Sequence, residues 1–561
     1  MARGPLALIG WLGLLALAIV LIAAAVGHLL LGGVGGGVGE DFWKSVVLVL
    51  DSSAFGGEAA WPARLVALVV TLLGLFIGGC LIGLIATALE QRIQDLRKGR
   101  SAVLETGHTL ILGWSARLPV IVQELVVANE SLARSSVVML APRDVGDMDE
   151  ELRDRVGDTK STRIVCRSGN PAHPADLRLA NIAAARSVIV LAGDGGDAEV
   201  VKTILGVKTL DPDFSRANVI AELIHPEHAQ TLRVITDGAV GTVNSDDVIA
   251  QVTAQACHQS GLSVVFRDLL DFRGDECYFA EAPELIGRTY AEALLAFDAS
   301  SVIGRATAGG DVQLNPPPDA VFAPGDRVIV VSEDDDTVAF TGLRDVDAPE
   351  PASPGSGAQA PIRVLIVGWS GFGPKVVAEL DEFLAPGSVI EVCVDAALAD
   401  PSTLDGIEPV NARLRVSTTS GGPEQPLSLG EVEPFDQVIV LGYREGMTID
   451  EADSRTLLSL LTLRKVWPRQ VQIIAQLLDQ ANVELAATTG VDDFIVSDAL
   501  ASLMLAQLSE RAELQAVFDD LFDPDGAVVE LRAAHSFVPD HPVRYEQIVA
   551  AGAAQAVSML G

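Results

Sequence analysis

Two long stretches without Asp, Glu, Lys or Arg open this sequence, at residues 5–31 and 65–89. Each exceeds the roughly 20 residues that a helix needs to cross the hydrocarbon core of a bilayer. In lipid the backbone must satisfy its own hydrogen bonds, so such stretches fold as helices. The alternative for the first stretch is a signal peptide, whose apolar core is usually much shorter. We therefore predict two transmembrane helices, at 5–31 and 65–89.

Basic residues flank these two helices unevenly. Residues 92, 97, 98 and 100 after the second helix are Arg or Lys, and Arg3 precedes the first. The segment between the helices is acidic and has only Lys44 and Arg64 as basic residues. The positive-inside rule then places both chain ends in the cytoplasm. The sequence predicts a multi-pass protein of the cell membrane whose remaining domains are cytoplasmic.

Residues 41–57, between the helices, are more elaborate than a plain hairpin requires. Residues 41–50 have the length of a short amphiphilic helix, and DSSAFGG follows at 51–57. Non-helical backbone at membrane depth survives only where it is buried or lines water, which favours a re-entrant pore helix and filter over the hairpin. Helix, pore helix, filter and helix is the layout of a tetrameric channel, so we predict a pore domain at 1–89.

The candidate selectivity filter follows the pore helix. It consists of Asp51, Ser52, Ser53, Ala54, Phe55 and Gly56. It lacks the TVGYG run of potassium channels, whose stacked carbonyls replace the hydration shell of the ion. Four copies of Asp51 would form a carboxylate ring that attracts cations, although a plain N-cap role is the alternative for this residue. We predict cation permeation and leave the choice among potassium, sodium and calcium open.

The second transmembrane helix contains candidate hinge glycines at Gly78, Gly79 and Gly83. Glycine in such a helix permits bending, and close helix packing explains it equally well. Residues 90–107 are expected to continue as a linker helix that leads into a cytoplasmic strand at 108. Such a linker would transmit force from a regulatory domain to the pore.

The rest of the chain is a tandem repeat. ILGWS (111–115) recurs as IVGWS (366–370), and VIAEL (219–223) recurs as IIAQL (473–477). Apolar runs alternate with helical stretches, which indicates Rossmann-type α/β domains with a parallel sheet covered on both faces. We predict a first Rossmann lobe at 108–272, a small α/β lobe at 273–340, a flexible linker at 341–361, a second Rossmann lobe at 362–523 and a partial second small lobe at 524–561.

The turns after the first strand of each copy only partly match the dinucleotide fingerprint GxGxxG. A helix N-terminus nevertheless offers amide donors to an anion, so these turns are ligand-binding candidates. Nucleotide binding is not expected in the first copy, and the second is closer to the pattern because an acid ends its next strand. The candidates are Gly113, Trp114, Ser115, Gly368, Trp369, Ser370, Gly371, Gly373 and Asp395.

Composition limits the remaining chemistry. A formal net charge of −36 offers no basic face for phosphates, which argues against nucleic acid as a partner. The five cysteines form no CxxC pair, so neither disulfides nor a thiolate zinc site is expected. His225 and His228 are metal-ligand candidates at a helix start, but exposed histidines are more often only solvated. We find no catalytic set and predict that the chain is not an enzyme.

From about residue 40 onward the chain resembles a known family. HTLILGWS (108–115) and LDSS (50–53) are similar to the CASTOR/POLLUX group, in a bacterial-type form. The two-helix pore with paired Rossmann domains resembles channels that bear RCK (regulator of conductance of potassium) domains. The resemblance implies a homotetramer with a cytoplasmic gating ring, for which calcium or a nucleotide is the candidate ligand. Ser53 stands where family members have glycine, which leaves selectivity open.

These observations lead to one main hypothesis and two rivals. The chain is expected to be a subunit of a tetrameric cation channel, in contact with lipid and permeating cations. Ligand binding would widen the ring, pull on residues 90–108 and splay the second helix near Gly83. The main rival is a membrane-anchored RCK-type sensor subunit of a separate transporter, which would form a dimer. An anchored NAD-dependent enzyme is more distant, because no catalytic residues accompany the glycine turns.

Overall fold

The computed structural model describes residues 5–31, 37–50, 61–97, 101–193, 195–351, 360–419, 435–444, 446–467, 471–523 and 526–561. The chain divides into two compact units, Met1–Ser101 and Ala102–Gly561. Because the candidate filter at 51–56 lies outside the described residues, the structure leaves its conformation untested.

The N-terminal unit contains three helices that pack on one another, α1 (Pro5–Leu31), α2 (Val38–Leu50) and α3 (Trp61–Arg97). Within the described part of the chain, one stretch, Ala67–Thr87 of α3, is long and apolar enough to cross a membrane, and only 17% of it is buried. The apolar stretch found in α1 is shorter, Trp11–Val26. The structure therefore supports α3 as a membrane span and supports α1 as one more weakly.

A close backbone approach joins α2 to α3. A Cβ atom added at Gly74 would lie 2.8 Å from the Cα of Val49, so only glycine fits there. The predicted hinge glycines differ, since no described atom lies within 4 Å of a Cβ at Gly78, Gly79 or Gly83. Helix packing within the chain therefore explains Gly74 and not the three hinge candidates. The helix α3 is described as far as Arg97, and residues 101–107 are not helical, so the predicted linker helix is shorter than 90–107.

The first Rossmann lobe has a parallel sheet in the order β3-β2-β1-β4-β5-β6. The order reverses between β1 and β4, as in doubly wound folds. Its strands are β1 (His108–Leu112), β2 (Ser135–Ala141), β3 (Thr162–Ser168), β4 (Ala185–Val190), β5 (Asn218–Leu223) and β6 (Val240–Asn244). Its helices are α4 (Leu118–Ala128), α5 (Val145–Val156), α6 (Pro174–Leu179), α7 (Gly196–Lys208), α8 (Pro226–Thr236), α9 (Ser245–His258) and α10 (Leu262–Leu270).

The first small lobe is an antiparallel sheet in the order β7-β10-β8-β9 with one short helix. Its elements are β7 (Glu276–Glu281), α11 (Tyr290–Ala293), β8 (Ser300–Ala306), β9 (Val312–Leu314) and β10 (Arg327–Ser332). The start of the predicted flexible linker is held against this lobe, because the Thr341 N–H donates to the Ala296 carbonyl at 2.8 Å. Arg344 also donates to Asp298 at 2.6 Å. The segment expected to be flexible therefore begins with fixed residues.

The second Rossmann lobe repeats the first, with the strand order β13-β12-β11-β14-β15-β16. Its strands are β11 (Arg363–Val367), β12 (Ser388–Asp395), β13 (Ala412–Thr419), β14 (Gln437–Val440), β15 (Gln472–Leu477) and β16 (Asp493–Val496). Its helices are α12 (Gly373–Glu382), α13 (Ile449–Val466), α14 (Val483–Ala487), α15 (Ser497–Glu510) and α16 (Gln515–Phe522). The predicted tandem Rossmann architecture is confirmed.

The C-terminal segment does not begin a second small lobe in the expected way. Residues 528–531 form no strand, and the next helix is α17 (Tyr545–Ala554). Val549 of α17 is buried in the apolar core of the first small lobe. The hydroxyls of Tyr290 and Ser558 also lie 2.7 Å apart. The segment predicted as a partial second small lobe at 524–561 therefore packs onto the first small lobe.

Two helices are exchanged between the Rossmann lobes. Helix α9 follows the first sheet but packs along α12, whereas α15 follows the second sheet and packs on α4 and on β4, β5 and β6. The Asn218 side chain donates to the Leu508 carbonyl at 2.6 Å, and the Gly261 N–H donates to Asp493 at 2.8 Å. One continuous apolar core contains residues of both lobes. Each lobe therefore depends on the other to cover its sheet.

The close approach at Gly74 yields a direct test. Gly74→Ala would press a methyl group into the backbone of α2, and overpacking of this kind costs about 1–3 kcal/mol. We expect a lower thermal midpoint and less monodisperse full-length protein in detergent. Gly78→Ala is the matched control, because its methyl group enters open space. Equal behaviour of the two variants would contradict the close approach of α2 and α3.

Candidate functional site

The predicted ligand turns lie where doubly wound folds bind their ligands, at the carboxyl ends of the central strands. In the first Rossmann lobe, Gly113 has a φ of 100°, and its N–H donates to the Leu140 carbonyl at 3.0 Å. The guanidinium of Arg143 lies 4.7 Å from the indole centre of Trp114. Gly368 takes the same role in the second lobe, with a φ of 90° and an N–H donated to Cys393 at 3.1 Å. The two turns are thus geometrically equivalent.

Trp369 fills the turn of the second Rossmann lobe. Its side chain is fully buried, and its Nε1 donates to the Thr403 hydroxyl at 2.8 Å. A Cβ at Gly373, the first residue of α12, would lie 2.8 Å from the indole ring. In a dinucleotide site, glycine at such a turn lets the pyrophosphate approach the backbone. Here the glycine accommodates an indole ring of the same chain.

A small cavity remains beside Asp395 in the second lobe. It measures about 40 Å³ and is lined by Gly368, Asp395, Tyr443 and Thr456, among others. The Tyr443 hydroxyl accepts a hydrogen bond from the Asp395 N–H at 3.2 Å, and burial raises the pKa of Tyr443 to about 12. A cavity of this size holds roughly three water molecules, whereas ligand sites usually span about 300–1,000 Å³. A nucleotide would enter only if Tyr443 moved.

Ser115 and Ser370 occupy equivalent positions at the two turns. Both hydroxyls are buried, and within the described part of the chain neither has a hydrogen-bond partner. A buried hydroxyl without a partner is destabilising by about 1–3 kcal/mol. A ligand oxygen that reached either turn would therefore be stabilised there. The structure brings together Gly113 to Ser115 in one turn, and Gly368 to Gly373 with Asp395 in the other.

A buried charge cluster lies where the two lobes meet, next to the turn of the first lobe. Arg117, which caps α4, forms an ion pair with the fully buried Glu222 and another, at 3.1 Å, with Asp498 of the second lobe. Glu222 also accepts from the Ala192 N–H at 3.0 Å and from the Ser245 hydroxyl at 2.8 Å. The guanidinium of Arg117, which is already paired with two carboxylates, therefore lies at the N-terminus of α4, where a phosphate would otherwise bind.

The second lobe has uncharged side chains at the positions of Glu222 and Arg117. Gln476 stands at the position of Glu222 and accepts from the Gly442 N–H at 3.1 Å. Phe372 stands at the position of Arg117, and the guanidinium of Arg444 lies 5.1 Å from its ring centre. Arg444 also pairs with Asp498 at 3.5 Å. We call Arg117, Glu222, Arg444 and Asp498 the cross-lobe cluster.

Sequence reasoning did not identify the cross-lobe cluster. The repeats VIAEL and IIAQL differ at Glu222 and Gln476, and this difference was the one sign in the sequence comparison that Glu222 has a special role. It carried no information about Arg117, because this residue meets Glu222 and Asp498 only once β5 and helix α15 of the other lobe are packed beside α4.

Two equivalent carboxyl groups, Glu124 of α4 and Glu379 of α12, lie near the turns that follow α10 and α16. Burial and the nearby Asp271 raise the pKa of Glu124 to about 7, against the pull of Arg273, Arg267 and the Phe272 N–H. The Phe272 N–H donates to the Glu124 carboxylate at 3.3 Å. Glu124 therefore titrates near neutral pH.

Glu379 behaves in the same way for a similar reason. Burial and the carboxylates of Asp247, Asp523 and Glu382 raise its pKa to about 7, although Lys375 lowers it. Lys375 itself pairs with Asp247 of α9 at 2.6 Å, which is a further contact between the lobes. The duplicated fold thus carries an equivalent buried acid in each lobe, with a pKa of about 7.

Residues 246–346 match the family model described as Castor and Pollux, part of voltage-gated ion channel. The chain is 29% identical to the ion channel CASTOR of Lotus japonicus, over 89% of this chain and 64% of that protein. It is 28% identical to the probable ion channel POLLUX of Arabidopsis thaliana, over 90% of this chain and 66% of that protein. The chain therefore spans about two thirds of the length of these relatives.

The match reaches beyond the Rossmann lobes. The unit Ala102–Gly561 contains 460 of the 561 residues, or 82%, so a match over 89% of the chain includes part of the N-terminal unit. The relatives are named ion channels, which supports the prediction that the chain is not an enzyme. They are plant proteins and lend no support to the expected bacterial-type form.

A solved structure supports the predicted fold of the two Rossmann lobes. The human SLO3 gating ring has a TM-score of 0.52 with this chain, at 12% sequence identity, over 73% of this chain and 84% of that one. At this level of identity the likeness concerns the fold alone. The tandem Rossmann lobes therefore share the fold of that gating ring, and the CASTOR/POLLUX likeness rests on the sequence matches.

The cross-lobe cluster can be tested by giving the first lobe the residues of the second. Arg117→Phe leaves the buried Glu222 without its cation, and breaking a buried ion pair costs about 3–5 kcal/mol. We expect the thermal midpoint of the purified full-length protein to fall. Arg117→Phe combined with Glu222→Gln reproduces Phe372 and Gln476 and should recover most of the loss. Additive losses in the double variant would contradict the coupling of these two residues.

The raised pKa values predict a pH dependence with a defined sign. A carboxyl whose pKa rises from 4.5 to about 7 on folding contributes stability that is complete below about pH 4.5 and is lost as the pH rises through 7. The variant Glu124→Gln/Glu379→Gln should therefore exceed the wild type in thermal midpoint at pH 8, with the difference shrinking towards pH 5. Glu284→Gln, at an exposed position, is the control. A difference independent of pH would contradict the titration of these carboxyls.

Proposed function

We propose that this chain is a subunit of a tetrameric cation channel of the CASTOR/POLLUX type, gated by a ring of its RCK-type domains. The observation that carries the proposal is the sequence match to named ion channels across the Rossmann lobes and into the N-terminal unit. The apolar helix α3 and the two Rossmann lobes, which exchange helices, agree with this proposal. Both termini would lie in the cytoplasm, and the partners would be further copies of the chain, lipid and permeating cations.

The pore proposal draws on the geometry of the N-terminal unit. Helix α2 ends at Leu50, immediately before Asp51, the first residue of the candidate filter. A helix C-terminus carries a partial negative charge, which stabilises a nearby cation. The contact of α2 with Gly74 of α3 would hold this helix end in place. Asp51 to Gly56 are thus proposed as the filter, with Asp51 as the cation-attracting group.

The gating proposal draws on the second unit. Because the lobes share one core, a ligand that favours one arrangement of the lobes shifts the population of the whole unit. The ligand turns around Ser115 and Ser370 are the proposed binding places, for calcium or a nucleotide. Gly78, Gly79 and Gly83, which have free space around them, are the proposed hinge in α3.

One observation favours a second candidate function. Among the described residues a single stretch, Ala67–Thr87, satisfies the length and composition of a membrane span. One span suits a membrane anchor, as in an RCK-type sensor subunit that regulates a separate transporter. That protein would carry no current of its own, so recording distinguishes the two functions.

The proposed function is tested by recording from the purified full-length protein in planar bilayers under potassium, sodium and calcium gradients. The wild type should conduct cations, and Asp51→Asn should reduce the preference for cations over anions, because it removes four charges from the pore of a tetramer. Glu58→Gln, in the same segment but outside the filter, is the matched control. Absence of current from the wild type would support the sensor, and selectivity unchanged by Asp51→Asn would exclude Asp51 from the filter.

A further inference from the structure

Three side chains that fit metal coordination converge at the carboxyl edge of the first sheet. Asp197 lies in the first turn of α7, and His225 and His228 lie at the start of α8. The Nδ1 atoms of His225 and His228 lie 3.0 and 2.7 Å from the same carboxylate oxygen of Asp197. One potential ligand atom from each of the three residues lies within 4.8 Å of the others. The cluster combines one carboxylate with two imidazoles.

Asp197 is held firmly, whereas the histidines are open to solvent. The Asp197 side chain is 3% exposed, and the side chains of His225 and His228 are 58% and 44% exposed. Asp197 accepts from the N–H groups of Ile224 at 2.8 Å and His225 at 3.0 Å. These two backbone donors orient the carboxylate in advance, with accessible imidazoles beside it.

The second Rossmann lobe shows what the fold itself requires at this place. Asp453 occupies the position of Asp197 and accepts from the N–H groups of Leu478 at 2.8 Å and Asp479 at 3.0 Å. Asn482 stands at the position of His228 and donates its side-chain amide to Asp453 at 2.7 Å. The turn is thus fixed by an aspartate and one side-chain donor, without any histidine. The two imidazoles of the first lobe exceed this structural requirement.

We propose that Asp197, His225 and His228 bind a divalent transition-metal ion, with zinc as the representative ion. Imidazole nitrogen and carboxylate oxygen are zinc ligands at about 2.0–2.2 Å. Bonds of that length separate tetrahedral ligands by about 3.3 Å, and the two imidazole–carboxylate spacings, 3.0 and 2.7 Å, lie close to that value. Imidazole ligands favour zinc, copper or nickel over calcium and magnesium. The exposed side of the cluster leaves room for water as a further ligand.

The proposed site borders the contact between the lobes. Lys375 of α12 lies with its Nζ 3.5 Å from the carbonyl of Ile224, the residue that precedes His225. The same lysine pairs with Asp247 of α9 at 2.6 Å. An ion at the start of α8 would therefore lie one residue from a cross-lobe hydrogen bond. Binding of the ion does not depend on the proposed channel function.

The test uses the tag-free, full-length protein in detergent, stripped of metal with a chelator and titrated with Co²⁺, followed by competition with Zn²⁺. The wild type should show the visible absorption of Co²⁺ bound to nitrogen and oxygen ligands, at one ion per chain. His228→Asn should lower the affinity by at least about 100-fold, because it removes a ligand. Its metal-free thermal midpoint should stay near that of the wild type, since Asn482 performs the same structural task in the second lobe.

Two further variants complete the test. His225→Asn provides an independent loss of one ligand, and it should weaken binding as His228→Asn does. His173→Asn removes an exposed histidine elsewhere in the same lobe and should bind like the wild type. Zn²⁺ should raise the thermal midpoint of the wild type and of His173→Asn only. Wild-type affinity equal to that of the two ligand variants, or an equal loss in His173→Asn, would overturn the proposal.

Discussion

Helices α9 and α15 each pack against the other Rossmann lobe, α9 along α12, and α15 on α4 and three strands of the first sheet. The residues that they bury, such as Cys257 and Leu505, belong to the apolar core that both lobes share. Exposing apolar surface costs about 25 cal/mol per Å², so separation of the lobes would be strongly opposed. The cross-lobe cluster and the bond from Asn218 to Leu508 add directional contacts to this shared core.

The duplication preserves backbone geometry while it changes chemistry. Gly113 and Gly368 adopt the same left-handed conformation, yet the helix start beside the first carries Arg117 and that beside the second carries Phe372. Asp197 and Asp453 fix equivalent turns, but only the first has imidazole neighbours. Each lobe thus serves as a reference for what the fold itself requires. By this comparison the histidine pair and the buried ion pair are specific to the first lobe.

Much of the second unit was predictable from sequence because its strands are fully buried. Continuous Val, Ile and Leu runs such as 188–192 identify a central parallel strand, and the near-constant repeat spacing fixes the topology of both lobes. Helix α5 was not foreseen because it is acidic and buries little more than Met148 and Leu152. The exchange of α9 and α15 was also missed, since hydrophobic periodicity shows that a helix is buried but not which sheet buries it.

The candidate site was predictable in part. The turn residues Gly113 to Ser115 and Gly368 to Gly373 lie at the sheet edges where the pattern placed them. The burial of Trp369 and the position of Tyr443 in the wall of the small cavity were not foreseen, because the orientation of a side chain depends on neighbours that are distant in sequence. Asp197 escaped notice for the same reason, as it reaches His225 and His228 only after β5 has been placed beside β4. The sequence pattern was therefore enough to predict where the ligand turns lie at the sheet edges, but the side chains that surround them depend on tertiary packing.

The central claim is that the two Rossmann lobes form one cooperative unit. Native-state hydrogen exchange of the full-length protein, resolved by mass spectrometry, tests it most directly, because cooperative units open with a common free energy. The central strands β1, β4, β11 and β14 should exchange with the same opening free energy. Asn218→Ala, which removes hydrogen bonds from the first lobe to α15, should lower protection in both sheets together. Exchange of β11 and β14 while β1 and β4 stay protected would contradict the claim.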